Sequence, residues 1–231
     1  MSRFTTIQHT RRWSWIGDEI TKKRGLIVFA REPLPRVVKT RLAAAVGDQA
    51  ASELYELMLR DTLKNSLQLS DIETVVFWAC EEKSLPLLTE RYRCNSRCQV
   101  SGNLGQRMQV AFEEMFAGGC EICCIIGSDT PDLPLTYIQD AYQLLATLQS
   151  DAVFGPSLDG GYYLLGLRQA WPQLFANISW STADVLEQSL TAAQGLGLKT
   201  TLLPEWQDID TIEDLHAFQE RNRLMVSGEN R

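Results

Sequence analysis

Short apolar runs alternate with longer helical repeats along this chain, and that alternation leaves few folds open. Gly25-Leu-Ile-Val-Phe-Ala30 is continuously apolar, as a strand buried on both faces of a parallel sheet must be. Ile72–Ala79, Ile122–Ile126 and residues 151–155 read as further strands. Tyr162–Leu167 is β-prone after the Gly160-Gly161 turn, and shorter strands are expected over 98–100 and 199–203. Helical spacing predicts helices over 48–69, 85–92, 104–116, 135–148 and 182–193, with a last one after Thr211. Ser181 or Thr182 is the expected cap of the helix at 182–193. Strands alternating with helices, without repeats or a polar linker, predict one α/β domain over residues 25–231 with a largely parallel sheet.

Residues 1–24 show no clean period and read as an extension, with a short helix expected over 13–20. Trp13, Trp15 and the basic residues there fit either a docking surface or a mobile terminus. No apolar run reaches the roughly 18 residues of a membrane span, and no secretory apolar core opens the chain, so a cytoplasmic protein with reduced thiols is expected. Cys94-x3-Cys98 with Cys120-x2-Cys123 has zinc-like spacing, but Cys123 and Cys124 sit inside an apolar strand, which favours ordinary thiols.

The formal net charge of −7 argues against nucleic acid as a partner. The first 24 residues carry +4, leaving −11 for the remainder, and inside that acidic remainder Arg31–Arg41 forms a basic island. In parallel sheets, ligands bind beyond the carboxyl ends of strands, so the polar residues following each strand hold the functional information. After the first strand comes Arg31-Glu-Pro-Leu-Pro-Arg-Val-Val-Lys-Thr-Arg41. Lys39-Thr40 resembles the end of a P-loop, but the glycines are missing and Pro33 and Pro35 remove two backbone donors. What is left is a set of guanidinium and ammonium groups near a helix start, suited to phosphate, or else a solvated basic face.

After the central strand, Asp129 in Gly127-Ser-Asp-Thr-Pro-Asp-Leu133 is placed to hold a hard divalent cation, with Thr130 or Asp132 as a helix cap. Asp159-Gly160 is a good hairpin turn, and the paired glycines also allow close backbone approach to a ligand. In Gln207-Asp-Ile-Asp-Thr211, extended backbone puts Asp208 and Asp210 on one side and Ile209 on the other. Two carboxylates so placed repel unless a cation sits between them. Thr211-Ile-Glu-Asp214 resembles a capping box, which accounts for Thr211 and not for the two aspartates.

The ordered succession Phe29-Ala-Arg-Glu-Pro-Leu-Pro-Arg-Val-Val-Lys-Thr-Arg-Leu42, Leu104-Gly-Gln-Arg-Met108, Gly127-Ser-Asp-Thr-Pro-Asp-Leu133, Asp159-Gly-Gly-Tyr-Tyr-Leu-Leu-Gly166, Trp180-Ser-Thr182 and Asp208-Ile-Asp-Thr211 resembles the glycosyltransferase-like selenodomain-associated transferases. These are similar to phospholactate guanylyltransferases and, more remotely, to GT-A nucleotide-diphospho-sugar transferases. The resemblance spans about residues 25–220. It implies a GT-A-like three-layer α/β/α sandwich with a mixed, mainly parallel sheet, and Mg²⁺ or Mn²⁺ on Asp129, Asp208 and Asp210. It also implies Arg31, Lys39, Thr40, Arg41 and Arg107 around the nucleotide phosphates, and Asp159, Gly160, Gly161 and Tyr162 on the acceptor or sugar side. The family usually has Gly where this chain has Arg36, and the guanylyltransferases differ at Asp159-Gly-Gly-Tyr162.

The expected activity is metal-dependent transfer from a nucleotide donor. It is either nucleotidyl transfer from a nucleoside triphosphate to a small anionic acceptor, with Lys39 and the three aspartates as the catalytic set, or glycosyl transfer from a nucleotide-sugar. Nucleotidyl transfer is slightly favoured because an anionic acceptor needs no base; in glycosyl transfer Asp159 is the candidate base. The alternative is a non-catalytic nucleotide-binding module serving a partner enzyme. Neither nucleic acid nor a membrane span is expected as a partner, and a homo-oligomer is left open by the sequence.

Overall fold

A computed structural model describes residues 23–228; the rest of the expected extension, with its helix at 13–20, lies outside the described residues. Seven strands form one sheet: β1 (Arg24–Arg31), β2 (Ile72–Ala79), β3 (Asn95–Cys98), β4 (Ile122–Ile126), β5 (Ala152–Pro156), β6 (Tyr162–Leu167) and β7 (Thr200–Leu202). Their order is β3-β2-β1-β4-β6-β5-β7, with β6 alone antiparallel to its neighbours. Seven helices are described: α1 (Thr40–Val46), α2 (Asp48–Ser66), α3 (Leu85–Tyr92), α4 (Leu104–Ala117), α5 (Leu135–Ala146), α6 (Val185–Gly195) and α7 (Ile212–Gly228). The mixed, mainly parallel three-layer sandwich is the expected fold.

The layers follow from strand alternation. Leu26 and Val28 of β1, with Val76, Trp78, Cys124 and Ile126, pack under α2, α3 and α5. Ile27, Val75, Phe77, Cys123 and Ile125 point the other way, under Met108, Phe112 and Met115 of α4 and Ala193 of α6. Each of these strands is therefore apolar on both faces, and β4 is buried at all five positions. β1 leads to β2 and β3 on one side, while β4 returns to its other side. The strand order reverses between β1 and β4, and a crevice opens beyond the carboxyl ends there.

Several expectations are corrected. α1 was not expected, and β3 lies over Asn95–Cys98 rather than 98–100, a short polar edge strand without an apolar run. α6 starts at Val185, later than 182; neither Ser181 nor Thr182 caps it, and the capping residue, Asp184, makes no side-chain cap bond. Instead Thr182 Oγ1 donates to the Ser179 carbonyl at 2.8 Å. Thr130 and Asp132 do not cap α5, whose N-cap is Pro134. The Asp132 carboxylate, 5% exposed, is already engaged by Arg221 Nε at 3.0 Å and Trp206 Nε1 at 3.2 Å. The capping box at α7 is present, with Asp214 in the role of Glu: Thr211 N donates to Asp214 Oδ2 at 2.7 Å and Asp214 N to Thr211 Oγ1 at 3.2 Å.

Lys23 pairs with Glu73 at 3.0 Å and Arg24 with Asp71 at 2.8 Å, so two cations of the basic N-terminal stretch have carboxylate partners at the start of β2. All six cysteines are free, and among the described residues no group of three or more His, Cys, Asp or Glu side chains is gathered as a metal site. Among them, too, no helix is long and apolar enough to cross a membrane.

Candidate functional site

The crevice collects side chains from four loops. Lys39 is the last residue before α1 and has left-handed backbone, φ 47°. Its side chain is 5% exposed, with Nζ 3.0 Å from Asp129 Oδ2 and 3.7 Å from Asp210 Oδ1. Burial alone would lower the Lys39 pKa. Asp129, then Asp210 and Asp208, outweigh it and hold the amine above the ordinary lysine value. A left-handed residue that buries a charge among carboxylates is strain held in place by its surroundings. Val38 and Leu42, 2% and 0% exposed, anchor the loop on either side.

Asp208 and Asp210 reach this point by a long route. Beyond β7 the chain follows β5 as far as Trp206, whose N–H donates to the Pro156 carbonyl at 3.0 Å. It then crosses to the β4 loop, where Ile209 N–H donates to the Asp129 carbonyl at 3.0 Å. Ile209 is 0% exposed and packs with Leu42, Met58 and Leu215. Burying an isoleucine contributes about 1.5–3 kcal/mol, enough to fix this segment. Ile209 in and two aspartates out is the expected alternation.

Asp210 also accepts from exposed Arg41 Nη1 at 2.9 Å. Burial first, then the charges of Asp129 and Asp159, raise the Asp208 pKa to about 6. Asp129, Asp208 and Asp210 bring hard oxygen donors, of the kind Mg²⁺ or Mn²⁺ takes, to one crevice, but their side chains are not gathered here into a ready-made metal site. Lys39 supplies part of the compensating charge in this structure.

Arg31 and Arg107 form a second cationic group. Among the described residues neither pairs with a carboxylate. Arg107 is pushed below its usual pKa by burial and by the neighbouring Arg31 guanidinium. Its Nη1 donates to Gln99 Oε1 at 3.0 Å, and its buried Nε has no partner. Two neighbouring guanidiniums without a carboxylate partner among the described residues suit an anion. Thr40, the first residue of α1, is exposed.

The sequence reading missed two positioning residues. Tyr55 of α2 accepts from Arg31 N–H at 2.8 Å and shares a 2.8 Å hydrogen bond with Ser128, tying the ends of β1 and β4 together. Gln99 Nε2 donates to Phe77 O at 2.7 Å and Ala30 O at 3.3 Å while holding Arg107. Tyr55 looks like an ordinary core position of α2, and a lone Gln after an edge strand carries no periodic signal.

Ser157–Gly161 joins β5 to β6 as a hairpin loop, as Asp159-Gly160 suggested. Asp159 Oδ1 accepts from Ser157 Oγ and from Gly161 N–H, the latter at 2.9 Å, so half of this carboxylate is engaged in the turn. Gly160 has φ 87° and lies against the Ala183 backbone. Gly105 of α4 lies against the Trp180 indole, leaving no room for a Cβ. Two motifs distant in sequence thus close one wall. The resulting cleft, about 520 Å³, runs from Asp129, Asp159 and Asp208 to an apolar end at Phe29, Met108, Tyr162 and Trp180.

Arg36 has left-handed backbone, φ 66°, where the resembling family usually has Gly; its Nε donates to Asp48 Oδ2 at 2.8 Å. A side chain in this region costs about 1–2 kcal/mol. Glycine's greater freedom when unfolded offsets about 0.5–1 kcal/mol of that, and an exposed ion pair contributes about 0–1 kcal/mol. Arg36→Gly is therefore expected to change stability by no more than about 1 kcal/mol in urea unfolding.

A family model described as "uncharacterized protein conserved in bacteria" matches residues 62–182. The structure is similar to that of a protein from Desulfovibrio desulfuricans G20 assigned as a nucleotide-diphospho-sugar transferase. The two are 31% identical, the match covers 87% of this chain and 88% of that one, and the TM-score is 0.82. The fold also matches CMP:2-keto-3-deoxy-manno-octonic acid synthetase complexed with CTP, at 12% identity, 90% and 99% coverage and TM-score 0.56. A third match is glucosyl-3-phosphoglycerate synthase from Mycobacterium tuberculosis, in complex with Mn²⁺, UDP and glucosyl-3-phosphoglycerate. It has 11% identity, 85% and 77% coverage and TM-score 0.52. No curated protein matches the sequence.

Proposed function

The chain belongs to the DUF2064 family, and from that premise we propose that it is a metal-dependent transferase of GT-A type that draws on a nucleotide donor. The observation that carries the proposal is that two charge sets sit at the ends of β1 and β4, which Tyr55 ties together between Arg31 N–H and Ser128, the neighbour of Asp129. Uncompensated Arg31 and Arg107 stand on one side, and Asp129, Asp208 and Asp210 around Lys39 on the other. A polyphosphate satisfies the first set and a divalent cation the second.

In this reading Arg31 and Arg107 bind the donor's phosphates, and Lys39, Thr40 and Arg41 at the start of α1 complete the cradle. When bound, Mg²⁺ or Mn²⁺ on the three aspartates neutralises and orients the reacting phosphate. Lys39 keeps its proton through the reaction and stabilises charge on the departing group. The cleft beyond, between Asp159-Gly-Gly-Tyr162 and Trp180, receives the acceptor or sugar.

Nucleotidyl transfer to an anionic acceptor is favoured over glycosyl transfer. Glycosyl transfer to a hydroxyl calls for a base, and the candidate, Asp159, has Oδ1 committed to its turn. An acceptor phosphate or carboxylate attacking the α-phosphate of a triphosphate needs none.

A panel of nucleoside triphosphates and nucleotide-sugars, offered with Mn²⁺, separates these outcomes. Binding of intact triphosphates with pyrophosphate release on adding a phosphorylated or carboxylated acceptor is expected. Tight binding of diphospho-sugars alone would move the assignment to glycosyl transfer. Nucleotide binding that survives Asp208→Ala, with no turnover of any donor, would leave a non-catalytic binding module.

A further inference from the structure

Cys80 and Cys98 lie side by side at the carboxyl ends of β2 and β3, with Sγ atoms 3.6 Å apart. Both are half-buried, whereas Cys94, Cys120, Cys123 and Cys124 are buried. Trp78 stands opposite Cys98 in the parallel pairing, so Cys80, two residues on, points to the same face. Cys98 ends an edge strand and Cys80 is the first residue past β2, so neither thiol is locked into a ladder on both sides.

The next residue, Gln99, connects this pair to the site. Its N–H donates to the Trp78 carbonyl at 2.8 Å, and its side chain spans Phe77 O and Ala30 O while accepting from Arg107. A shift of Cys98 is therefore passed to Arg107 and to the end of β1 that carries Arg31.

We infer that Cys80 and Cys98 are a peroxide-sensitive thiol pair that closes to a disulfide and thereby weakens polyphosphate binding at Arg31 and Arg107. The effect on binding rests on the phosphate role proposed above; the disulfide does not. Burial, together with the hydrogen bond to Cys98, pushes the Cys80 thiol up to about 12; Cys98, at the end of the edge strand, is the thiol that meets peroxide first. The Cys98 thiolate attacks one oxygen of hydrogen peroxide, the O–O bond breaks, and the released hydroxide takes a proton to give water. Cys98 is now a sulfenic acid. The Cys80 sulfur attacks it, the S–O bond breaks, and the Cys80 proton leaves with the hydroxyl as a second water. One peroxide is reduced and two thiols are oxidised. The sulfurs must approach by about 1.5 Å to reach bonding distance, and the strand ends that give way are those supporting Gln99.

The test treats full-length reduced protein with hydrogen peroxide, then maps non-reduced peptides by mass spectrometry. A Cys80–Cys98 linked peptide is expected, with two of the six thiols consumed. Calorimetry with inorganic tripolyphosphate and Mg²⁺ should show at least threefold weaker binding after oxidation, restored by dithiothreitol. Cys80→Ser, treated identically, should show neither change. Protein that stays folded by circular dichroism yet yields no linked peptide would overturn the inference. A linked protein that binds tripolyphosphate as tightly as before would overturn its coupling to the site. Reduced protein that fails to bind tripolyphosphate would strike the phosphate reading instead, and the linked peptide alone would decide the thiol pair.

Discussion

Asp129→Ala should lower metal-dependent turnover on the order of 10³-fold while leaving the protein folded. Asp129 follows the central strand, and its backbone carbonyl holds Ile209 N–H, so the main chain keeps its role when the side chain is removed. What the substitution removes is one carboxylate of the proposed metal set and the nearest counter-ion of Lys39. The amine then retains Asp210 at 3.7 Å. Removing one partner of a fully buried pair costs about 3–5 kcal/mol, but the Asp129 side chain is 34% exposed and Asp210 remains, so a loss of about 1–2 kcal/mol is expected. Urea unfolding measures that part.

Asp129→Asn keeps the shape and an acceptor for Lys39, so it should recover most of the stability and little of the turnover. The two variants together separate charge on the reacting group from support of Lys39. Turnover within tenfold of wild type in both would remove Asp129 from the chemistry. Manganese affinity, read by paramagnetic resonance without nucleotide, should fall in both variants, a readout that a purely structural role would not move.

Strands buried on both faces are visible in sequence because their composition leaves no alternative. Ile72–Ala79, Ile122–Ile126 and Tyr162–Leu167 are found at the expected residues. α1 escapes notice because seven residues show too little period, and it begins at a left-handed Lys39 that no propensity marks. β3 escapes because an edge strand of Asn, Ser, Arg and Cys has no apolar face to display. Asp132 shows the opposite failure: its local pattern fits a cap, while a cation 89 residues away claims the carboxylate.

The site divides the same way. Period two around Ile209 places Asp208 and Asp210 together, because alternation is local. That Lys39 lies between Asp129 and Asp210, and that Gln99 holds Arg107, depends on chain crossings no local rule contains. The glycines are intermediate. Gly105 and Trp180 are recognisable as separate motifs, and only the packing explains why the two go together.

Gly160→Ala is expected to be the most destabilising single-methyl change in the site. A methyl there falls within contact of the Ala183 carbonyl oxygen and 2.7 Å from its carbonyl carbon and Cα. These are backbone atoms, so no rotamer change can make room. The position also has φ 87°, which a side chain adopts only at a cost of about 1–2 kcal/mol. Overpacking of well-packed sites adds about 1–3 kcal/mol, for a total of about 2–5 kcal/mol, readable as a shifted urea midpoint with unchanged slope. The strain has a defined outlet. Gly160 O accepts from Leu186 N–H at 2.9 Å in the first turn of α6, so pushing the hairpin off Ala183 moves the start of α6 and the 180–183 wall. The cleft should widen at its acceptor end while the phosphate end, built from β1 and β4, stays as it is. The expected kinetic result is a raised KM for the acceptor with donor binding close to wild type. Gly161→Ala is the control. Its nearest contacts are side-chain oxygens at 3.2 Å with no positive φ, so it should cost about 1 kcal/mol or less. Equal losses in the two variants would mean that the Ala183 contact does not set the wall.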